Sequence, residues 1–84
     1  MAKVLIYTKK LCGYCNEAKT LLDKKNQSYE EINIDKVAGV KDYLMNLTAW
    51  DTVPQIFIND KFIGGYEELY KLDVSKELDK LLQE

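Results

Sequence analysis

The chain has 84 residues, of which 46% are hydrophobic and 31% are charged, and its formal net charge at pH 7 is −2. This length suits a single domain over residues 1–84, and the composition is that of a folded protein in water. All twelve basic residues are lysine, so the bidentate arginine contacts common in nucleic-acid recognition are missing. The apolar runs are too short to cross a bilayer. We therefore expect one domain that binds neither nucleic acid nor a membrane.

The start of the chain and its cysteines bear on the cellular compartment. Met1-Ala2-Lys3 runs directly into an apolar, β-branched segment, which leaves no room for a signal peptide. Both cysteines lie in one motif, unlike the many dispersed cysteines of small secreted domains. We therefore expect a cytoplasmic monomer, in a reducing compartment that suits a reversible dithiol.

The first predicted strand and the first predicted helix are joined at a Cys-Gly-Tyr-Cys motif, residues 12–15. The strand covers about Lys3–Tyr7, Thr8–Leu11 form a loop, and the helix runs from about Gly13 to Lys25. The apolar face of this helix comprises Tyr14, Ala18, Leu21 and Leu22.

A cysteine at the start of a helix is chemically unusual. Unpaired backbone N–H groups and the positive end of the helix dipole stabilise its thiolate, and Lys9 and Lys10 add positive charge nearby. Cys15 lies one turn further along the same face, close enough to attack a mixed disulfide formed on Cys12. The pattern predicts that Cys12 is a nucleophile and Cys15 a resolving thiol.

Three other interpretations of the two cysteines must be weighed. A zinc site needs four ligands, and the chain has no histidine and no third cysteine. A structural disulfide across so short a loop would restrict the unfolded chain little. Two inert, buried thiols are the third alternative, which the surrounding positive charge opposes. A CxxC motif beside a βα unit favours redox chemistry.

The middle of the chain predicts a second strand and a second helix. The polar segment 26–28 ends the first helix, and Tyr29–Ile34 alternates as a strand does. Asp35 is the predicted N-cap of a helix that ends near Ala49, and Gly39 is expected to weaken it by roughly 1 kcal/mol relative to alanine. The apolar face of that helix comprises Val37, Val40, Leu44 and Leu47.

The second half predicts a hairpin and a last helix. Gln55–Ile58 and Lys61–Ile63 are short strands joined by the turn dipeptide Asn59-Asp60. Gly64-Gly65 precedes the last helix, whose apolar phase slips around 73–75, so a kink or restart is expected there. The predicted fold class is α/β in the order β-α-β-α-β-β-α. Its four-stranded mixed sheet has helices on both faces, and its first two strands are parallel.

Outside the cysteine motif, the residues that carry chemistry have two interpretations each. Pro54 is either a strand-edge proline or a cis residue that exposes the backbone of Val53 to an extended ligand. The glycine pair is either a turn or a place where a carboxylate approaches a helix N-terminus. Glu67 and Glu68 either complement that helix dipole or meet a ligand ammonium. Lys9 is either solvated or pairs with a ligand carboxylate, and Tyr14 either packs against its helix or shields the sulfur.

Three segments together resemble the glutaredoxin family, and the resemblance covers nearly the whole chain. The first is Tyr7-Thr8-Lys9 followed by the cysteine motif. The other two are Thr52-Val53-Pro54-Gln55-Ile56-Phe57-Ile58 and Ile63-Gly64-Gly65-Tyr66-Glu67-Glu68-Leu69. The resemblance implies a thioredoxin-like fold. It also implies reduction of protein disulfides and glutathione mixed disulfides, with glutathione as reductant and ribonucleotide reductase as one candidate partner.

The resemblance also implies roles for individual residues. Pro54 would be cis, the backbone of Val53 would pair with the cysteinyl part of glutathione, and Lys9 would meet its glycine carboxylate. The γ-glutamyl end would be held at the glycine pair and the residues after it. The implied glutathione-binding set is Lys9, Tyr14, Thr52, Val53, Pro54, Gly64, Gly65, Tyr66 and Glu67.

Two residues depart from the family pattern. Gly13 stands where many dithiol members of the family have proline. The resemblance implies that members with a small residue at this position are better able to hold a [2Fe-2S] cluster in a glutathione-bridged dimer. Tyr66 replaces the usual cysteine or serine. The alternatives to the oxidoreductase are therefore a cluster-binding or carrier protein and a redoxin reduced by thioredoxin reductase. Such redoxins usually lack the Gly-Gly-x-acidic pattern.

Overall fold

Four strands and four helices make up residues 2–84, the part of the chain that the computed structural model describes. Met1, the first residue of the segment on which the expectation about a signal peptide was based, lies outside these residues. In chain order the elements are β1 (Val4–Thr8), α1 (Gly13–Lys24), β2 (Glu30–Asn33), α2 (Val40–Thr48), β3 (Gln55–Ile58), β4 (Lys61–Gly64), α3 (Tyr66–Val74) and α4 (Glu77–Gln83). The expected restart in the last helical region is confirmed as the break between α3 and α4.

The four strands form one mixed sheet in the order β2-β1-β3-β4. β1 is parallel to β2 and antiparallel to β3, and β3 is antiparallel to β4. The hairpin between β3 and β4 turns at Asn59 and Asp60, whose φ angles of 51° and 68° suit a tight hairpin turn. The predicted mixed sheet and its parallel first pair are therefore confirmed.

Helices cover both faces of the sheet because the strand side chains alternate between two cores. One core joins Ile6 and Ile56 to Leu22, Leu69 and Leu78, from α1, α3 and α4. The other core joins alternate strand residues to α2, and its buried members are Tyr7, Phe57 and Leu44. The sheet is thus sandwiched, with three helices on one side and α2 on the other.

The predicted start of α2 is wrong. The helix begins at Val40, and its N-cap is Gly39, whose φ is +81°. Asp35 lies earlier, in a turn where its backbone N–H donates to the side chain of Asn33 at 2.8 Å, while its carboxylate pairs with Lys41 at 3.0 Å. These local interactions extend the connection after β2. Gly39 therefore precedes the helix instead of weakening it.

The apolar face predicted for α2 is also only partly correct. Leu44 is buried and Val40 packs against the same core, but the side chains of Val37 and Leu47 are 47% and 54% exposed. Val37 is exposed because it lies in the connection before the helix. Leu47 lies on the side of α2 that the sheet does not reach.

Lys25, just after α1, links this helix to the last two. Its ammonium lies 2.7 Å from a carboxylate oxygen of Asp73 and 3.0 Å from one of Asp79. The hydrogen bonds from Asp73 and Asp79 raise the pKa of Lys25. The end of α1 is thereby tied to the junction of α3 and α4. Among residues 2–84, no helix combines the length and the apolar character needed to span a bilayer.

Candidate active site

Cys12 lies at the N-cap of α1, directly after the loop that follows β1. Its backbone is extended (φ −113°, ψ 104°), and its sulfur accepts a hydrogen bond from the backbone N–H of Cys15 at 3.1 Å. The two cysteines are joined by a disulfide, and their Cα atoms are 5.2 Å apart. This spacing is ordinary for a disulfide, so the pair closes within normal backbone geometry.

The two sulfurs differ in their access to solvent. Cys12 is 9% exposed, whereas Cys15 is 1% exposed and is one of the buried residues of α1. An incoming disulfide therefore meets Cys12 first. Cys15 can react only with a group already bonded to its neighbour. This asymmetry agrees with the roles that the spacing predicts.

A cis-proline loop faces Cys12 across the site. The Val53–Pro54 peptide bond is cis, as the family resemblance implied. The carbonyl oxygen of Val53 lies 3.8 Å from the Cys12 sulfur. The backbone of Val53 is therefore the part of the chain that an extended ligand would meet beside the reactive sulfur.

The side chain of Gln55 holds this loop in place. It is 1% exposed, and its amide nitrogen donates to the carbonyl oxygens of Trp50 at 2.9 Å and Thr52 at 3.0 Å. Its amide oxygen accepts a hydrogen bond from the hydroxyl of Thr48 at 2.9 Å. One buried side chain thus fixes the end of α2 and the approach to Pro54. Sequence analysis quoted Gln55 only as part of a motif and missed this role.

The glycine pair and the start of α3 form the third side of the site. Gly64 has a φ of +123°, and a Cβ there would lie 2.8 Å from Cγ of Glu68. At Gly65 a Cβ would lie 3.3 Å from the carbonyl oxygen of Pro54, so the cis-proline loop packs closely against it. Glu68 accepts a hydrogen bond from the Gly65 N–H at 2.8 Å. Glu68 is therefore a helix cap, while Glu67 pairs with Lys71 at 3.3 Å.

A groove of about 600 Å³ runs between these three segments. It is lined by seven residues of the predicted glutathione-binding set, namely Tyr14, Thr52, Val53, Pro54, Gly65, Tyr66 and Glu67. Trp50, Glu68 and Tyr70 also line it, and sequence analysis did not predict the positions of Trp50 and Tyr70. We call this cavity the ligand groove.

Lys9 and Gly64 do not line the ligand groove. Lys9 lies on the other side of the cis-proline loop, where it borders a cavity of about 300 Å³ together with Thr52 and Val53. Gly64 is buried at the end of β4, behind the residues that form the wall of the groove. Gly64 therefore shapes the turn, and Lys9 reaches the site from its opposite edge.

Stacked tyrosines form one wall of the ligand groove. The rings of Tyr14 and Tyr66 stack with centroids 6.2 Å apart and planes 19° apart, and Tyr70 follows 6.0 Å from Tyr66. Tyr14 is 69% exposed, so it belongs to this surface and not to the core of α1. The interpretation of Tyr14 as helix packing is therefore wrong.

On the other side of Cys12, a polar network joins β1, α1 and β2. The hydroxyl of Thr8 donates to a carboxylate oxygen of Glu31 at 2.7 Å, and the ammonium of Lys19 reaches the same oxygen at 3.1 Å. The hydrogen bond from Thr8, followed by that from Lys19, lowers the pKa of Glu31 despite its partial burial. Glu31 is thus held ionised beside the active-site loop.

These features define a class of protein. A CxxC pair at the first turn of the helix after β1, opposite a cis-proline loop in a four-stranded mixed sheet, is the site of a thiol-disulfide oxidoreductase with the thioredoxin-like fold. The more accessible cysteine, Cys12, and the fully buried one, Cys15, supply the two steps that disulfide exchange requires.

Comparison with known proteins places the chain within this class. A family model described as Glutaredoxin matches residues 4–63. Glutaredoxin 3 of Escherichia coli K12 is 46% identical over 83 residues, which cover 99% of this chain and 100% of that protein. Glutaredoxin 1 of Rickettsia prowazekii is 42% identical over 82 residues, covering 95% and 86% of the two chains. The crystal structure of the buckwheat glutaredoxin-glutathione complex superposes with a TM-score of 0.91 at 29% identity, covering 95% and 76%.

The chain therefore belongs to the glutaredoxin family. It is a glutathione-dependent thiol-disulfide oxidoreductase with a Cys12–Cys15 dithiol, as the sequence resemblance implied.

Proposed function

We propose that Cys12 is the attacking sulfur, that Cys15 resolves, and that glutathione lies in the ligand groove. One observation carries the proposal: the more exposed sulfur, that of Cys12, lies 3.8 Å from the carbonyl oxygen of Val53, which lines the groove. A glutathionyl sulfur bonded to Cys12 then has the peptide backbone of Val53 within reach.

The local donors favour the reactive form of Cys12. In the reduced protein, the Cys15 N–H and the first turn of α1 stabilise a thiolate more than a thiol. A thiolate is the species that attacks disulfides. The backbone donors at the start of α1 thus prepare Cys12 for attack, and Lys9 and Lys10 add positive charge nearby.

The reaction on a glutathione mixed disulfide has two exchanges. The Cys12 thiolate attacks the glutathionyl sulfur, the mixed disulfide breaks, and the target leaves as a thiolate that takes a proton from water. The thiolate of a second glutathione then attacks the glutathione sulfur held on Cys12. This step releases glutathione disulfide and returns the Cys12 thiolate.

The reaction on a protein disulfide uses both cysteines. Cys12 attacks one sulfur of the target, and the other target sulfur leaves as a thiolate. Cys15 then loses its proton and attacks the Cys12 sulfur, which frees the target as a dithiol and leaves the Cys12–Cys15 disulfide. Two molecules of glutathione reduce that disulfide and become glutathione disulfide.

The groove suggests how glutathione is oriented. The backbone of Val53 pairs with the cysteinyl unit, and Lys9 approaches the glycine carboxylate from the far side of the cis-proline loop. The N–H of Gly65 is engaged by Glu68, so the N–H groups of Tyr66 and Glu67, at the start of α3, bind the γ-glutamyl carboxylate.

Coupled turnover tests this assignment. A glutathione mixed disulfide is supplied with glutathione, glutathione reductase and NADPH, and wild type, Cys12→Ser and Cys15→Ser are compared. We expect Cys12→Ser to be inactive and Cys15→Ser to retain turnover. If wild type shows no turnover with glutathione but is active when thioredoxin reductase supplies the electrons, the reductant is thioredoxin reductase and not glutathione.

Protein disulfides, among them that of ribonucleotide reductase, are the proposed physiological targets. The support is the dithiol, because Cys15 is needed only for substrates that leave two thiols behind. Nucleotide reduction by ribonucleotide reductase is measured with glutathione and this protein. We expect wild type to sustain the reaction and Cys15→Ser to fail, although it still turns over the small mixed disulfide.

An iron-sulfur cluster between two copies is the second candidate function. A Cβ on Gly13 would meet no atom within 4 Å, so the space beside Cys12 is open. Within residues 2–84, no three histidine, cysteine or acidic side chains form a metal-binding group, so one chain does not fit a cluster and the ligands must come from two copies and glutathione. Anaerobic reconstitution with glutathione should give a coloured dimer, and Gly13→Pro should not. A colourless monomer would reject this function.

Without a cluster we propose a monomer that works in the cytoplasm, where glutathione keeps thiols reduced. The supporting observation is the Cys12–Cys15 disulfide, which glutathione in such a compartment can reduce again after each turnover. Light scattering after size exclusion should give the mass of one chain for the reduced protein. A dimer in the absence of iron would contradict the proposal.

A further inference from the structure

A second depression lies beside Cys12, on the side away from the ligand groove. It holds about 430 Å³ and is bordered by Cys12, Leu11 and the turn before α1. Four lysines surround it, namely Lys9, Lys10, Lys19 and Lys36. The tyrosine wall and the glycine pair are not part of it. We call it the Leu11 depression.

The Leu11 depression is positively charged in a protein whose net charge is −2. Four lysines and one glutamate among its lining residues give a local formal charge of +3. Lys19 is paired with that glutamate, Glu31, at 3.1 Å. Within residues 2–84, Lys10 and Lys36 form no ion pair, and both are exposed. Positive potential is therefore left uncompensated next to the reactive sulfur.

Leu11 adds an apolar contact to this charged surface. Its side chain is 93% exposed, and its backbone has a φ of 58°, in the left-handed region that glycine and asparagine tolerate better. The side chain therefore adds little to folding, through either burial or backbone preference. Covering it with a partner would remove apolar surface from water directly beside Cys12.

We propose that the Leu11 depression docks protein substrates whose reactive cysteine is flanked by acidic side chains and an apolar side chain. This inference rests on the proposed function and names the class of protein disulfide that the enzyme prefers. Lysine charge attracts the acidic segment and speeds its encounter, and Leu11 packs against the apolar side chain. Glutathione occupies the ligand groove at the same time, because the two cavities lie on different sides of Cys12.

Two synthetic peptides test the proposal, each glutathionylated on a single cysteine. One carries aspartate, glutamate and leucine beside that cysteine, and the other carries lysine and serine. We compare kcat/KM for wild type, for Lys10→Gln with Lys36→Gln, and for Lys61→Gln with Lys80→Gln. The last pair removes the same charge from a distant surface between β4 and α4. Hydroxyethyl glutathione disulfide, which has no flanking sequence, serves as the reference substrate.

We expect wild type to prefer the acidic peptide by about five-fold at low ionic strength, with the preference fading as salt rises. The Lys10/Lys36 variant should lose that preference, and the Lys61/Lys80 variant should keep it. For each protein, kcat/KM for a peptide is divided by kcat/KM for the reference substrate, so any effect that the loss of Lys10 has on the Cys12 thiolate cancels from the preference. Equal kcat/KM for both peptides in wild type, or equal losses in both double variants, would overturn the docking proposal.

Leu11→Asn tests the apolar contact separately. We expect kcat/KM for the acidic, leucine-containing peptide to fall about three-fold, since one exposed apolar contact is lost. The midpoint of thermal unfolding should not fall, because asparagine suits the left-handed backbone. An unchanged kcat/KM would remove Leu11 from the docking surface. If wild type fails on the reference substrate as well, the proposed function fails, which is a different result.

A binding experiment needs no turnover. The acidic peptide with serine in place of cysteine is titrated into the oxidised protein, and backbone NMR shifts are recorded. Shifts at Leu11, Lys10 and Lys36 are expected. Shifts confined to Tyr14, Tyr66 and Tyr70 would place the peptide in the ligand groove and contradict the proposal.

Discussion

The backbone N–H of Cys15 donates a hydrogen bond of 3.1 Å to the sulfur of Cys12. Cys15 thus supports the charge on the more accessible cysteine, Cys12, before it serves as the resolving thiol. The two roles fit one short motif because residues three apart at a helix N-terminus bring a side chain and a backbone donor together.

The reduced protein should react with an alkylating reagent mainly at Cys12. The backbone N–H groups that stabilise its thiolate should keep the reaction fast at pH values below the pKa of a free thiol, about 8.5. The measurement is the rate of iodoacetamide modification against pH in Cys15→Ser, with free cysteine as reference. A rate that follows free cysteine across the whole pH range would show that the helix start does not activate the sulfur.

Glu31 should make the stability of the protein depend on acid. The pKa of Glu31 in the folded state lies below the ordinary 4.5. The contribution of Glu31 to the free energy of unfolding is therefore complete above pH 4.5, and it is lost as the pH falls through the folded-state pKa. Removing the main hydrogen bond with Thr8→Val should cost roughly 1 kcal/mol at pH 7, a modest value because the Glu31 side chain is partly exposed.

Urea unfolding at pH 7 and at pH 3 checks the contribution of Glu31. The difference between wild type and Thr8→Val should shrink at the lower pH. Thr20→Val, an exposed change in α1, is the control and should show the same small difference at both values. A wild-type advantage that grows on acidification would contradict the sign given above.

Gln55→Leu should destabilise the fold and weaken glutathione binding together. The substitution leaves the carbonyl oxygens of Trp50 and Thr52 without their buried donor, which should cost about 2 kcal/mol. The freed loop should raise the KM for glutathione more than it lowers kcat. Gln55→Glu, which keeps the size and the acceptor, is the second variant, and exposed Gln83→Leu is the control. If both Gln55 variants have the wild-type KM for glutathione, the side chain of Gln55 does not help to position the glutathione site.

Gly64→Ala should be much more costly than Gly13→Ala. At Gly64 a Cβ would lie 2.8 Å from Cγ of Glu68, and the φ of +123° is unsuitable for alanine. We expect a loss of about 2 kcal/mol, part of it from the displaced cap of α3. At Gly13 the space is open, so alanine should be neutral or stabilise α1 by up to about 1 kcal/mol. Equal losses on urea unfolding would refute this difference.

Local sequence patterns predicted most of the fold and the position of the reactive cysteines. The cysteine motif, the hairpin turn at Asn59 and the proline before β3 were all found from short segments, because turns, caps and strands are set by neighbouring residues. The prediction that Asp35 caps α2 was wrong, since its backbone N–H is held in a turn by the side chain of Asn33 and its carboxylate pairs with Lys41, while the helix begins only after Gly39.

The walls of the groove could not be predicted in the same way. Trp50 and Tyr70 lie 20 residues apart in sequence, and both line the ligand groove only because β3 and β4 bring α3 back against the cis-proline loop. The role of Gln55 depends on carbonyl groups that the folded loop turns inward. Such contacts arise from tertiary packing, which no local pattern records.

Trapping the glutathione adduct tests the central claim most directly. Cys15→Ser and Cys12→Ser are each mixed with glutathione disulfide, their intact masses are measured over time, and backbone NMR shifts locate the bound tripeptide. We predict rapid addition of one glutathione to Cys12 in Cys15→Ser, with shifts at Val53, Tyr66 and Glu67. Faster addition to Cys15 in the other variant, or shifts that leave the ligand groove untouched, would contradict the account.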